Sequence, residues 1–147
     1  YRTNNRDTAY LEPAQHTKWL YDLLFPLVLQ ANQETFHFDI DIVTDPIHYV
    51  IYPAPTGPQS NDGGHLDWHM DIGRGAVNRR KLATTVQLSH PDEYEGGEIF
   101  FKLPNQNDFI IQGEVGDLVL FPSNFMYAHC VKPVTKGERI TVVGWIV

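Results

Sequence analysis

The chain has a single cysteine, Cys130, so it can form no intrachain disulfide, and a disulfide-stapled secreted scaffold is excluded. It also lacks any apolar run of the roughly 18 residues that a spanning helix needs, and its start does not resemble a secretory signal. Together these absences predict a reducing, cytoplasmic setting with no membrane partner. Basic residues are few: 11 Lys and Arg stand against 18 Asp and Glu, for a net charge of -7 and a pI near 5.3. Such a surface repels phosphate backbones, so a nucleic-acid partner is not expected without a local basic patch. The one basic cluster, Arg74, Arg79, Arg80 and Lys81, reads as a solvated turn between strands, or as a group that greets an acidic substrate. No internal repeat or low-complexity tract is present.

What remains is enough for one core. At 147 residues and 42% hydrophobic content, the chain fits a single domain over 1–147, with helical support over 1–35 and a β core over 36–147. From Glu12 to about Gln33, Trp19, Leu20, Leu23, Leu24, Leu27 and Val28 recur at three- and four-residue steps, the mark of an amphipathic helix. Pro26 lies inside that stretch and predicts a kink or two abutting helices there. The period then changes to two: Phe36, Phe38, Ile40 and Ile42 alternate with polar residues as in a half-buried strand. Further strands are predicted over 47–52, 66–72, 82–89, 98–103, 117–121, 126–131 and 139–147. Turn-rich stretches at 53–64, 73–78, 90–97, 104–116, 122–125 and 133–137 separate them. A helical layer followed by about eight short strands, with no strand–helix alternation, predicts a mainly β double-stranded β-helix, a cupin-like jelly roll with the helical region packed on one sheet. The 53–64 loop, directly ahead of the densest histidine stretch, is long enough to act as a lid or to be a plain surface excursion. Strand alternation turns Cys130 away from the face of His129 and makes it a packed core thiol.

The chemistry concentrates at His69-Met70-Asp71. Side chains at i and i+2 of a strand share a face, so His69 and Asp71 can converge on one ion while Met70 points away. A third ligand from a distant strand would complete the two-histidine, one-carboxylate facial triad that leaves positions open on Fe(II), and His129 on a later apolar strand supplies it. Ten positions on, from 129 to 139, comes Arg139 on the final predicted strand. A second His-x-Asp, His65-Leu66-Asp67, competes for the role. His65 abuts Gly63 and Gly64, where the backbone is turning, whereas Trp68 to Ile72 reads as settled strand; His69 and Asp71 are therefore preferred. His65 and Asp67 are left near the metal, at the substrate mouth, or in a hydrated strand entrance. His16, His37, His48 and His90 lack a partner pattern and read as surface or satisfied core residues. Asp92, Glu93 and Glu95 read as a solubilising turn.

An ordered series of motifs adds to this reading: Tyr52-Pro53 ahead of a glycine-containing loop, Trp68-His69-Met70-Asp71-Ile72-Gly73, Thr85-Val86-Gln87-Leu88-Ser89, Tyr94-Glu95-Gly96-Gly97-Glu98, Gly116-Asp117-Leu118-Val119-Leu120-Phe121-Pro122-Ser123, His129, and Arg139 with Trp145. In this series the chain resembles the prolyl-hydroxylase-like branch of the 2-oxoglutarate and Fe(II)-dependent dioxygenases, including the PKHD-type hydroxylases, over roughly 47–147. The resemblance implies iron ligands at His69, Asp71 and His129. It implies an Arg139 that pairs with the distal carboxylate of 2-oxoglutarate, a task suited to a planar guanidinium that stays charged at any working pH. It also implies cosubstrate-pocket roles for Tyr52, Gln87 and Trp145; Gln87 stands where animal prolyl hydroxylases commonly carry tyrosine.

The activity implied is hydroxylation of an unactivated C–H bond, with 2-oxoglutarate decarboxylated to succinate and with Fe(II), molecular oxygen and ascorbate as helpers. The acceptor first in line is a prolyl residue of a peptide or protein, ahead of a free amino acid or small metabolite. A cupin-like metal binder without 2-oxoglutarate chemistry and a non-catalytic jelly-roll binding module are the competing classes. An alkylated-base demethylase fits poorly with the acidic balance.

Overall fold

The computed structural model describes residues 4–41, 45–104 and 108–147. In chain order the elements are β1 (Asn4–Asn5), β2 (Asp7–Leu11), α1 (Lys18–Ala31), β3 (Ile47–Pro53), β4 (His65–His69), β5 (Leu82–Gln87), β6 (Tyr94–Gly96), β7 (Ile99–Lys102), β8 (Phe109–Ile111), β9 (Leu118–Pro122), β10 (Ala128–Val131) and β11 (Val134–Ile146). Two antiparallel sheets form, one ordered β1-β4-β10-β7-β8, the other β2-β3-β11-β5-β9, with β6 pairing β11 at its start. This is the mainly β jelly roll expected.

The long strand β11 organises the molecule because each of its faces meets a different core. Arg139, Thr141, Val143 and Trp145 point between the sheets, where Val50, Tyr52, Leu66, Ala83, Ile99, Phe101, Phe121 and Val131 pack. Val142 and Ile146 point the other way and receive α1: Leu20 and Leu24 pack with Ile47 and Val142, and Val28 with Leu82 and Ile146. Leu20, Leu24 and Val28 sit one turn apart and are buried, whereas Trp19, Leu23 and Leu27 of the same sequence pattern are exposed. The helix thus buries a narrower stripe than its apolar content suggests.

Four expectations are corrected. The alternating run from Phe36 is not a strand. Asn32–Phe36 form a π-helical turn, His37 takes a left-handed conformation (φ 57°), and the Asn32 amide holds both the N–H and the C=O of Phe38. Phe36 and Ile40 use their alternation to cover the end of the helix-side core, and Ile42 lies outside the described residues. The helix also runs unbroken through Pro26, its change of winding falling after Ala31. The stretch before Glu12, assigned to helical support, instead supplies β1 and β2, the latter pairing with β3. Finally, three predicted turns contain strands: β6 lies within 90–97, β8 lies within 104–116, and Val134 to Gly137 already belong to β11, where Gly137 adopts φ 69° and pairs with Tyr94.

The 53–64 loop is tied down. Asp62 accepts hydrogen bonds from Ser60 Oγ, from Thr56 Oγ1 at 2.6 Å and from the Thr56 N–H at 3.0 Å, and its own carbonyl accepts from Asn5. The Ser60 hydroxyl first, then Thr56, pulls the Asp62 carboxyl down to about 2. A depressed carboxylate stabilises above its unfolded pKa and loses that contribution only as pH falls through the folded value. Hydrogen exchange of the Thr56 amide should therefore stay protected from pH 7 to pH 3, and Asp62→Ala should remove that protection. For the helix seat, Leu24→Ala should cost about 2–5 kcal/mol in denaturant unfolding, the usual range for a buried leucine that leaves a cavity.

Candidate metal centre and its clamp

The pairing of β4 with β10 sets the geometry. His129 lies opposite His69 in the ladder, which brings their rings to 4.1 Å between centroids. β4 ends at His69, and Asp71 sits in the bend that follows. That bend, not continued strand, turns the Asp71 carboxylate back toward the two imidazoles: Oδ1 is 3.7 Å from His69 Nε2 and Oδ2 is 3.7 Å from His129 Nε2. The settled strand expected over Trp68–Ile72 is thus corrected, since the regular part runs from His65. One ligand atom from each of the three residues lies within 4.8 Å of the other two, and this is the group of metal-competent side chains found among the described residues.

The second nitrogens fix the tautomers. His69 Nδ1 lies 2.8 Å from the Asp67 carbonyl and His129 Nδ1 3.0 Å from the Tyr127 carbonyl. A carbonyl only accepts, so each Nδ1 carries the hydrogen and each Nε2 presents a lone pair to the space shared with Asp71. Phe101 stacks on His129 at 5.2 Å and Phe121 meets it edge-on at 4.9 Å, which locks the ring. The three side chains are 6% to 9% exposed. Buried ionisable groups this close are costly unless something pairs with them, and a divalent cation fits a set of two neutral imidazoles and one carboxylate.

A cavity of about 250 Å³ opens on this cluster from between the sheets, and across it stands Arg139 on β11. Arg139 is 5% exposed and makes no carboxylate ion pair among the described residues. Burial lowers its pKa, and the hydroxyls of Tyr52 and Tyr94 oppose that shift. An arginine in this position stays charged, so the guanidinium is a buried cation held by phenols and open to an anion. Glycine is required beneath it: a Cβ at Gly97, itself at φ 72°, would fall 2.9 Å from Arg139 Cδ.

The other predicted pocket residues divide. Tyr52 lies opposite Arg139 in the β3–β11 ladder, lines the cavity, and has the guanidinium 5.6 Å from its ring centre. Trp145 also lines it, buried, with an indole N–H that finds no partner among the described residues. Gln87 does not line this cavity. It lies behind Arg139, where its amide donates to Tyr94 Oη at 3.1 Å and to the Ser89 carbonyl at 2.9 Å. His65 hydrogen-bonds the Gly63 carbonyl at 2.8 Å, and Asp67 is exposed; neither belongs to the cluster.

Sequence reasoning missed three residues at the mouth. Arg80, assigned to a solvated turn, has a side chain only 14% exposed: Nε bonds Asp45 at 2.7 Å and the guanidinium lies 3.8 Å over the Trp145 ring. His48, read as surface or satisfied core, is flanked edge-on by Tyr10 and Trp145, and its buried Nδ1 has no partner. Arg6 donates to Tyr52 Oη at 3.4 Å. The two-residue rhythm His48-Val50-Tyr52 along β3 carried a signal for His48; nothing local marked the arginines. Cys130 is buried, as expected, and burial raises its thiol pKa.

Two facing antiparallel sheets with a convergent His–Asp–His cluster on one and a buried arginine on the other define a class, the double-stranded β-helix proteins with a side-chain set that could hold one metal ion. The chain belongs to the 2OG-Fe(II) oxygenase superfamily, whose family model matches residues 48–147. It is 39% identical over 88 residues to a PKHD-type hydroxylase of Synechococcus sp. (strain CC9902), covering 60% of this chain and 38% of that protein. It is 33% identical over 120 residues to a PKHD-type hydroxylase of Crocosphaera subtropica, covering 82% and 52%. The chain thus spans about half or less of the curated relatives it matches. Among solved structures it resembles a prolyl-4-hydroxylase of Pseudomonas putida (TM-score 0.72, 21% identity, 99% of this chain and 72% of that one). It also resembles a Trichoplax adhaerens prolyl hydroxylase in complex with a hypoxia-inducible-factor peptide (TM-score 0.76, 18% identity, 97% and 63%). At these identities the likeness is one of fold. Among the described residues no helix is long and apolar enough to cross a membrane.

The cluster makes a prediction independent of any catalysis. Co(II) titrated into the protein should bind at one site with visible d–d bands. His69→Ala, Asp71→Ala and His129→Ala should each weaken it by more than the ~10–100-fold that loss of an outer hydrogen-bond partner costs. His65→Ala should leave it as in wild type; the reverse pattern would move the site to His65.

Proposed function

We propose that the chain is the catalytic domain of an Fe(II)- and 2-oxoglutarate-dependent dioxygenase that hydroxylates an unactivated C–H bond, with a prolyl residue of a peptide or protein as the acceptor of first choice. The observation that carries this reading is the buried Arg139, without a carboxylate ion pair among the described residues, facing the His69–Asp71–His129 cluster across one small cavity. In it, His69, Asp71 and His129 hold iron, and Arg139 takes the far carboxylate of 2-oxoglutarate by paired N–H donors. Bound iron and 2-oxoglutarate supply the oxygen activation, with decarboxylation to succinate.

The chain's own contribution is position and dryness. The Asp67 and Tyr127 carbonyls hold both imidazoles as Nε2 donors, and Tyr52 and Tyr94 aim the guanidinium. Trp145 walls the cavity, and Gln87 acts one step back by fixing Tyr94. A volume near 250 Å³ falls just below the usual range of ligand pockets, about 300–1,000 Å³, so it suits a compact ligand such as a five-carbon dicarboxylate with one residue-sized group at its mouth. The remainder of a peptide would lie on the mouth. The acceptor itself is taken from the prolyl hydroxylases that share the fold, an argument by analogy.

Anaerobic addition of Fe(II) and 2-oxoglutarate should give the weak visible charge-transfer band of the chelate in wild type and none in His69→Ala. Arg139→Met should keep Co(II) binding while raising the 2-oxoglutarate Kd by ~30-fold or more, as for truncating one partner of a buried charge pair. No band in wild type would favour a cupin-like metal binder, and a band that survives unchanged in Arg139→Met at limiting 2-oxoglutarate would take the anchor away from Arg139. Succinate formation with prolyl peptides, assayed with and without ascorbate, tests the acceptor.

A further inference from the structure

The cavity has two cationic ends, and the inner one alone is used by the function proposed above. Arg139 stands at the inner end. At the outer end Arg6, on the lead into β2, and Arg80, just past the turn at Gly75–Arg79, both line the wall. Arg80 is fixed from three sides, by Asp45 on Nε, by the Trp145 ring beneath, and by the Asp71 carbonyl 3.4 Å from Nη1. Its guanidinium therefore abuts the backbone of a cluster residue, and anything it grips lies beside the metal chamber. Arg6 makes no carboxylate ion pair among the described residues. Between them lie His48 and the unpartnered N–H of Trp145, which is 6% exposed.

A charge balance identifies what this end can take. In the loaded inner chamber, a divalent metal and Asp71 carry +2 and -1, while Arg139 and a dicarboxylate dianion carry +1 and -2. These groups cancel, and Glu98, which also acts on Arg139, adds no positive charge, so the inner chamber has no cation left for a further anion. The outer end keeps Arg6 and Arg80 against the single carboxylate of Asp45, which leaves one positive charge with no counterpart. His48 adds none: burial first, then Arg6 and Arg80, lower its pKa, with Asp45 opposing. Two guanidiniums kept in one narrow, partly dry space repel each other unless an anion joins them, and in a chain of net charge -7 this mouth is a local exception.

We infer that the acceptor substrate carries a carboxylate close to the C–H bond attacked, and that Arg6 and Arg80, with the Trp145 N–H, are the residues that select it. This rests on the 2-oxoglutarate reading of the inner chamber. The carboxylate can belong to a small free acid or to an acidic side chain next to the target residue in a peptide. Arg80 is the principal grip because its position is fixed; Arg6, whose described contact is the Tyr52 hydroxyl, adds a second positive charge close to His48.

Calorimetry on Mn(II)- and 2-oxoglutarate-loaded protein tests this, at a 2-oxoglutarate concentration saturating for each variant. The probes are N-acetyl-L-proline against its N-methylamide, and N-acetyl-Asp-Pro N-methylamide against its Asn-Pro counterpart. The acid member of at least one pair should bind tenfold or more tighter, and which pair does so tells the free acid from the peptide. Arg80→Gln and Arg6→Gln should bring that ratio toward one, and Arg80→Lys, which keeps the charge, should restore part of it. Equal binding of acid and neutral members, no binding of any probe, or a ratio that survives both Gln variants would overturn the inference. So would an Arg6→Gln variant that loses 2-oxoglutarate affinity and keeps the ratio, since that puts Arg6 with Arg139. Failure of wild type to bind 2-oxoglutarate before any probe is added is the separate signature by which the underlying reading falls.

Discussion

The burial of Arg139 constrains everything around it. A guanidinium out of water must be held by groups that accept its hydrogen bonds without cancelling its charge, and the chain meets this chiefly with phenols: Tyr94 accepts a hydrogen bond from Arg139 and Tyr52 lies beside it, while Glu98 acts more weakly and forms no ion pair with it among the described residues. Tyr94 is in turn held by Gln87, and Gly97 leaves the space that the arginine's side chain fills. The polar groups left unmatched nearby, at His48, Thr141 and Trp145, all line the cavity. A core that wanted only stability would have neither the cation nor the orphans; each unmatched buried group costs about 1–3 kcal/mol. The arrangement is stable as a binding site and wasteful as packing.

The metal cluster and the arginine occupy opposite sheets for a reason of chain geometry. Alternation along β11 gives one face to Arg139, Thr141, Val143 and Trp145 and the other to Val142 and Ile146 under α1. The helix that never touches the cavity therefore presses on the backbone that aims the clamp. The opposing sheet contributes His69 and His129 as directly paired residues of neighbouring strands, so their separation is set by ladder spacing rather than by loop conformation.

Strands β3, β5 and the second half of β11 were legible because they are long, largely apolar runs bounded by turn residues. The His-x-Asp spacing and the downstream histidine and arginine were legible as an ordered set, and they do come together. The reason given for preferring His69 over His65 was not sound, since β4 begins at His65 and ends at His69. The short edge strands β2 and β8 escaped because Asp7–Leu11 and Phe109–Ile111 carry no rhythm of their own and pair only at sheet margins. Phe36 to Ile40 misled in the opposite way: apolar residues two apart can equally cap a core from an irregular segment when a side chain, here Asn32, satisfies the backbone. Arg6 and Arg80 were invisible because their partners, Tyr52 and Trp145, are distant in sequence.

The order in which the strands are joined bears on how the cavity comes to be assembled. β11 sits between β3, from the first half of the chain, and β5, so both neighbours are synthesised long before the strand that joins them. Until β11 enters, β3 and β5 expose the edges it will occupy, and α1 has only part of its seat. Long-range pairing of this kind is slow and leaves sticky edges uncovered while it waits. Until β11 has entered, the His69–Asp71–His129 cluster has no arginine across from it, so the cavity exists only once the last strand is paired.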